Sequence, residues 1–298
     1  MQYNIGQIVS IINAELTGTS DRVINWLLTD SRSLSFPEDT LFFAIHTTRN
    51  DGHHYIPDLY KRGTRAFVVE KLPEDIGNYA DASFLKVENS LEALQKLASA
   101  CRAEFHIPVI GITGSNGKTI VKEWLNQLLS PFLRIVRSPR SYNSQIGVPL
   151  SVWLLNGQAE LGVFEAGISE YGEMESLQKI IQPTIGVFTN LGTAHQENFT
   201  SLEEKCMEKL KLFEDVDVLI YNADSEIIRK CVQLKGLTQG LSWSKTDASA
   251  ELYIRKIRKV GNTTEVTYVF KERESSIVIP FISDASIENV IHCLAVCL

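Results

Sequence analysis

"VIGITGSNGKT", Val109 to Thr119, decides the fold. A strand-like apolar run gives way to glycines, ends in Gly-Lys-Thr and leads into a helical pattern over Val121–Leu129. Strand, glycine-rich turn and helix are what a phosphate-binding loop requires. Backbone N–H groups at the helix start face the anion, and the helix dipole favours it. The commonest spelling, G-x-x-x-x-G-K-[ST], has a glycine six positions before the lysine. Here that position is Ile112, and the glycines stand at Gly111, Gly114 and Gly117. In such a loop Gly114, Ser115, Asn116 and Gly117 would wrap the phosphates. Lys118 would reach the outer ones, and the Thr119 hydroxyl would ligate magnesium.

Strand–helix pairs continue downstream: "LGVFEAG" with Met174–Ile181, "IGVFTN" with Leu202–Phe213 and "VDVLIYN" with Glu226–Leu234. This alternation predicts a parallel sheet flanked by helices. From Ala250 the pattern alternates polar and apolar residues around Gly-Asn and charged turns, which predicts an antiparallel meander. Upstream, "LFFAI" (Leu41–Ile45) and "RAFVVE" (Arg65–Glu70) read as buried strands with a helix between them that ends at Gly63. The expectation is an α/β protein. A small N-terminal α/β domain over 1–85 and a linking helix over 86–106 precede a mononucleotide-binding central domain over 107–298. That central domain has a mostly parallel sheet with an added antiparallel meander.

Several side chains can carry chemistry. Glu165 ends a buried strand, and carboxylates at the C-terminal ends of parallel strands lie on the rim where such sheets bind ligands. His195 lies in the loop after the strand that ends at Thr189. In the helix beginning near Leu202, the residues Leu202, Cys206, Leu210 and Phe213 share one face. Lys209 falls in the middle of that face and Lys211 points away from it. A lysine in an apolar stripe is costly unless it is paired, neutralised or snorkelling. Asn143 and Ser144 occupy a polar loop before a helical run, where substrate contact and helix capping both remain open. In the first domain "TDSR" (Thr29–Arg32) and "TTRNDGHH" (Thr47–His54) gather hydroxyls, Arg49 and two histidines, suited to a nucleotide diphosphate or to ordinary turn chemistry.

Bulk properties narrow the classes. The 298 residues are 44% hydrophobic and 22% charged, as in globular chains of two domains. The net charge of −7 argues against general attraction to nucleic acid or anionic membrane. No apolar run reaches membrane-spanning length, and the opening residues, which lack a basic start, carry no expectation of a secretory leader. The five cysteines form no C-x-x-C pair and are expected as reduced thiols, with Cys293 and Cys297 in core rather than at a metal. The sequence stops inside an apolar helical pattern, "IENVIHCLAVCL", so a continuation is expected.

"GITGSNGKT", "DSR", "DTLFFAI", "DGHHYI", "NSQIGVPLS", "EAG…GEMESL" and "TNLGTAH…" occur together, in order, across essentially the whole chain. In this they resemble the Mur ligases, whose phosphate loop is spelt G-x-x-G-x-x-G-K-[ST]. The resemblance implies an ATP-dependent, ADP-forming amide ligase of peptidoglycan precursor synthesis. It would add D-Ala-D-Ala to UDP-N-acetylmuramoyl-tripeptide through an acyl phosphate, as a cytoplasmic monomer. It implies that Lys118 and the loop amides hold ATP, that Thr119 and Glu165 ligate one Mg2+, and that His195 joins Glu165 around a second. Lys209, fourteen residues past His195, would be carbamylated and organise the magnesium. The expected catalytic set is Lys118, Glu165, His195 and Lys209. Asn289 would contact adenine, Ser31 and Arg49 the UDP end of the substrate, and Asn143 and Ser144 its polar parts. Three positions depart from the family pattern: Thr47 for a glycine, Ser144 for the second of two asparagines, and Ser286 for an earlier asparagine of the adenine segment. The family's C-terminal domain has no counterpart here, so this chain alone is expected to be inactive. The family can also carry a fused alanine racemase. Rival readings are another Mur-type or folylpolyglutamate-synthase-like ligase and, in a different class, a nucleotide-binding module without catalysis.

Overall fold

Runs such as "TLFF" and "AFVV" are buried at every residue, as strands covered on both faces must be. The computed structural model describes residues 2–48, 50–192, 198–237 and 240–298. His195 and Arg49 lie outside the described residues. The chain forms two units, residues 1–106 with 145–157, and residues 107–144 with 158–298.

In the first unit the elements run β1 (Tyr3–Asn4), α1 (Ile5–Ile12), β2 (Glu15–Thr17), β3 (Val23–Ile24), β4 (Trp26–Leu28) and β5 (Thr40–Phe43). Then come α2 (Ile56–Lys61), β6 (Ala66–Val69), β7 (Ser83–Lys86) and α3 (Ser90–Ala103). The sheet order is β2-β7-β6-β5-β4, parallel except where β2 meets β7. Helix α1 starts at a capping box of Asn4 and Gln7, which satisfies two N–H groups left free by helix geometry. Helix α3, read from sequence as a link, packs within this unit through Leu94, Leu97 and Cys101. A short helix, Gly147–Val152 (α5 in chain order), completes the unit. Just after it, Trp153 stacks on Tyr3 with ring centroids 5.4 Å apart and donates to the Asn25 carbonyl at 2.9 Å.

In the second unit the loop strand is β8 (Val109–Thr113), followed by α4 (Lys118–Leu129), β9 (Ile135–Arg137), β10 (Leu161–Glu165), α6 (Glu173–Ile181) and β11 (Ile185–Phe188). Next are α7 (Leu202–Leu210), β12 (Val218–Asn222), α8 (Glu226–Leu234) and β13 (Gly240–Ser244). The meander is β14 (Leu252–Val260), β15 (Thr263–Phe270) and β16 (Arg273–Ile279), and α9 (Asp284–Cys297) closes the unit. The nine strands lie in the order β16-β15-β14-β13-β12-β11-β8-β10-β9. They are parallel from β9 to β14, and β14, β15 and β16 are antiparallel, as the sequence pattern requires. Strands β10 and β11 flank β8 on opposite sides, which opens a crevice at their C-terminal ends. Register places Glu165 beside Ile112 and Phe188 beside Thr113, so three strand ends converge there.

Among the described residues no helix is long and apolar enough to cross a membrane. Cys293 is buried, Cys297 is exposed, and no described cysteine is in a disulfide.

Candidate active site

The glycine rhythm has a steric cause. Gly114 has φ +146°, and a Cβ there would lie 2.0 Å from the Thr189 hydroxyl oxygen. Gly117 caps α4 with φ +83°, and its Cβ would lie 2.4 Å from Asn289 Oδ1. An L-residue at either position would be strained at this φ and would displace its neighbour. The loop is also tied to the end of β11. Ser115 N donates to the Asn190 carbonyl at 2.9 Å, Asn116 N to Asn190 Oδ1 at 2.9 Å, and the Thr189 hydroxyl to the Asn116 carbonyl at 2.6 Å.

Helix α4 then delivers three polar side chains from one end. The Lys118 ammonium folds back over the loop, donating to the Gly114 carbonyl at 2.9 Å. Burial, with the Lys205 charge nearby, pulls its pKa below the ordinary lysine range despite Glu165. The Thr119 hydroxyl donates to Glu165 Oε2 at 2.9 Å and lies 3.1 Å from the Ser141 hydroxyl. Lys122 reaches Glu165 Oε1 at 3.1 Å. Glu165 is fully buried, and Asn143 Nδ2 lies 3.5 Å from its Oε2.

Helix α7 approaches the same place. Its apolar stripe is realised in Cys206 and Leu210, and Lys209 is only 3% exposed. Burial, reinforced by the charges of Lys118 and Lys205, pulls the Lys209 amine down to about 7. Lys211 points away as the periodicity predicts, and pairs with Glu208 at 2.7 Å. Lys118, Lys209, Asn143, Ser144, Gly114 and Ser115 all line one cavity of about 140 Å³.

The structure therefore brings together eight of the residues singled out from the sequence, Gly114, Ser115, Lys118, Thr119, Asn143, Ser144, Glu165 and Lys209. Asn289 lies behind the loop against Gly117. Ser31 sits in a separate turn of the first unit, where its carbonyl accepts from Arg62 at 2.9 Å. In "DGHH" turn chemistry accounts for one histidine. His53 donates to Asp51 at 2.6 Å and accepts from Glu70 N at 3.0 Å.

Sequence reasoning missed Lys122, Lys205 and Thr189. Lys122 and Lys205 lie four residues from Lys118 and Lys209, hence on the same helix faces, and that spacing was the available signal. Lys205 is 1% exposed and donates to the Gly192 carbonyl at 2.7 Å.

The arrangement suits a phosphate-bearing ligand with a hard divalent cation. Thr119 and Glu165 offer hydroxyl and carboxylate oxygens, the donor type that magnesium prefers. Asn190 takes the Ser115 and Asn116 N–H groups, a departure from the expectation that they wrap the phosphates. This leaves Lys118 and the N–H groups at the start of α4 for the anion.

Residues 112–297 match the description "Mur ligase middle domain", and residues 23–102 match "Mur ligase family, catalytic domain". The chain belongs to the Mur ligase family. Among curated relatives of this family, the UDP-N-acetylmuramoyl-tripeptide–D-alanyl-D-alanine ligase of Bacillus subtilis (strain 168) is 28% identical over 277 residues, covering 92% of this chain and 58% of the relative. The crystal structure of MurF from Acinetobacter baumannii superposes with TM-score 0.88 at 22% identity, covering 100% of this chain and 65% of that one. MurF ligase from Thermotoga maritima in complex with ADP gives TM-score 0.79 at 24% identity, covering 91% and 62%. This Mur ligase chain spans about half to two thirds of the length of such relatives.

Proposed function

We propose that the chain carries the nucleotide and acceptor sites of a cytoplasmic, monomeric Mur ligase that joins D-Ala-D-Ala to UDP-N-acetylmuramoyl-tripeptide, forming ADP. One observation carries this reading: Lys118, Asn143 and Lys209 line one cavity, with the Thr119–Glu165 pair beside it. The named activity of the relatives and the ADP bound to the Thermotoga maritima structure support it.

In this reading Lys118 and the N–H groups at the start of α4 hold the ATP phosphates, while the Ser115 and Asn116 amides stay on Asn190 and keep the loop's shape. The tripeptide carboxylate takes the γ-phosphoryl group, giving an acyl phosphate and ADP. The amine of D-Ala-D-Ala then attacks the acyl carbon and expels phosphate. Two anions must meet in the first step, so positioning and charge neutralisation are most of the catalysis. Bound magnesium would supply part of that neutralisation, held by Thr119 and Glu165, with His195 as a further ligand. Asn143 and Ser144 would orient the acceptor, Asn289 would support the adenine end, and Ser31 and Arg49 would meet the UDP moiety.

Lys209 would act as a carbamate. Its neutral amine attacks CO2, a C–N bond forms, and the displaced proton goes to solvent. A buried cation thereby becomes an anion facing the cation site. Its lowered pKa favours the amine form that this step needs.

The test follows both halves. ATP should bind this chain, and Lys118→Ala should weaken binding roughly tenfold to a hundredfold, the effect of losing charge-assisted hydrogen bonds. In the protein containing these residues, ADP release should require both UDP-N-acetylmuramoyl-tripeptide and D-Ala-D-Ala, with product mass showing the added dipeptide. Nucleotide binding without acceptor-dependent ADP release would identify a binding module instead.

A further inference from the structure

Lys122 is fully buried, and its ammonium is committed to a specific set of oxygens. It donates to the Ser138 carbonyl at 2.7 Å, to the Arg140 carbonyl and to Glu165 Oε1 at 3.1 Å, with Glu123 Oε1 at 3.3 Å. Ser138 closes the ring, its hydroxyl accepting from Glu165 N at 3.3 Å. The two oxygens of Glu165 are thus divided. Oε1 belongs to Lys122, and Oε2 faces the Thr119 hydroxyl and the Asn143 amide.

We infer that Lys122 is a positioning residue: it holds Glu165 by one oxygen so that a divalent cation is offered only the other. This rests on the ligase reading above. Two consequences follow from the geometry. The segment from Ser138 to Asn143 is pinned around the carboxylate, which places Ser141 3.1 Å from Thr119 Oγ1. The ammonium and a bound cation also share one buried carboxylate and repel each other, because charges so close in low dielectric are weakly screened. The cation is therefore held more loosely than a bare carboxylate would hold it. That suits a site whose nucleotide and cation must leave after each turnover.

The test is Mn2+ binding to the chain in the presence of ADP, read as free Mn2+ by electron paramagnetic resonance. Lys122→Met removes the charge at similar length and should tighten Mn2+ about tenfold, whereas Lys122→Arg should stay within about threefold of the unaltered chain. A purely structural lysine would lower thermal stability in the Met variant and leave Mn2+ affinity unchanged or weaker, and that result overturns the inference. Burying Glu165 without its partner is destabilising. Lys122→Gln, read by the Mn2+-induced rise in melting temperature, is therefore the second variant. A rise larger than that of the unaltered chain supports the inference, and an equal or smaller one overturns it. If the unaltered chain takes up no Mn2+–ADP, the ligase reading fails and takes this inference with it. If it binds and the variants bind no tighter, the inference alone fails.

Discussion

Lys209 shows how a single residue can be legible in sequence. A cation centred in an apolar stripe conflicts with its surroundings, and the fold resolves the conflict by lowering its pKa from 10.5 to about 7. Between those values the unfolded chain keeps a proton that the folded chain has released. Lys209 therefore disfavours folding most at low pH, and stability rises with pH across that window. The carbamate should follow the same direction. A 13C signal from labelled CO2 should grow as pH rises through about 7 and be missing in Lys209→Ala. A signal in that variant, or one falling with pH, would remove Lys209 from the role. Lys122 is not legible in this way. It adjoins the apolar positions Val121 and Leu125, and only the fold shows that its far end meets Glu165.

At the scale of elements, the strands are readable because buried parallel strands are continuous apolar runs. The loop is readable because its glycines mark forced backbone. Their causes are not, since Thr189 and Asn289 lie 75 and 172 positions beyond the glycines they crowd. Gly114→Ala should cost about 3 kcal/mol or more, combining strain at positive φ with the Thr189 clash, and should weaken ATP binding alongside. Chemical denaturation and nucleotide titration check both. Helix α9 supports the loop from behind at a second point. His292 is fully buried, donates to the Thr189 carbonyl at 2.8 Å and accepts from Trp243 at 3.3 Å. Burial pulls its pKa from 6.5 to about 4, so it stays neutral while the unfolded chain takes up a proton. Stability should therefore fall by roughly 3 kcal/mol as pH drops across that window. His292→Gln should flatten the pH dependence of unfolding there.

At the scale of the whole molecule, the α/β class, the parallel sheet and the meander follow from patterns repeated along the sequence. The membership of residues 145–157 does not. "GVPLSV" reads as a helix wherever it packs, and nothing local assigns it to the first unit. Trp153 is 4% exposed in that unit, so Trp153→Ala should cost roughly 3–5 kcal/mol, measurable by denaturant unfolding.

That excursion of the chain has a consequence for biogenesis. A polypeptide emerging from the ribosome would have made every strand of the first sheet by Lys86, yet Tyr3 would still lack the indole that stacks on it. The first unit becomes whole only after the glycine loop and Asn143 have been synthesised. A fragment ending at residue 106 should therefore bind a peptide of residues 145–157, with Trp153 fluorescence reporting its burial.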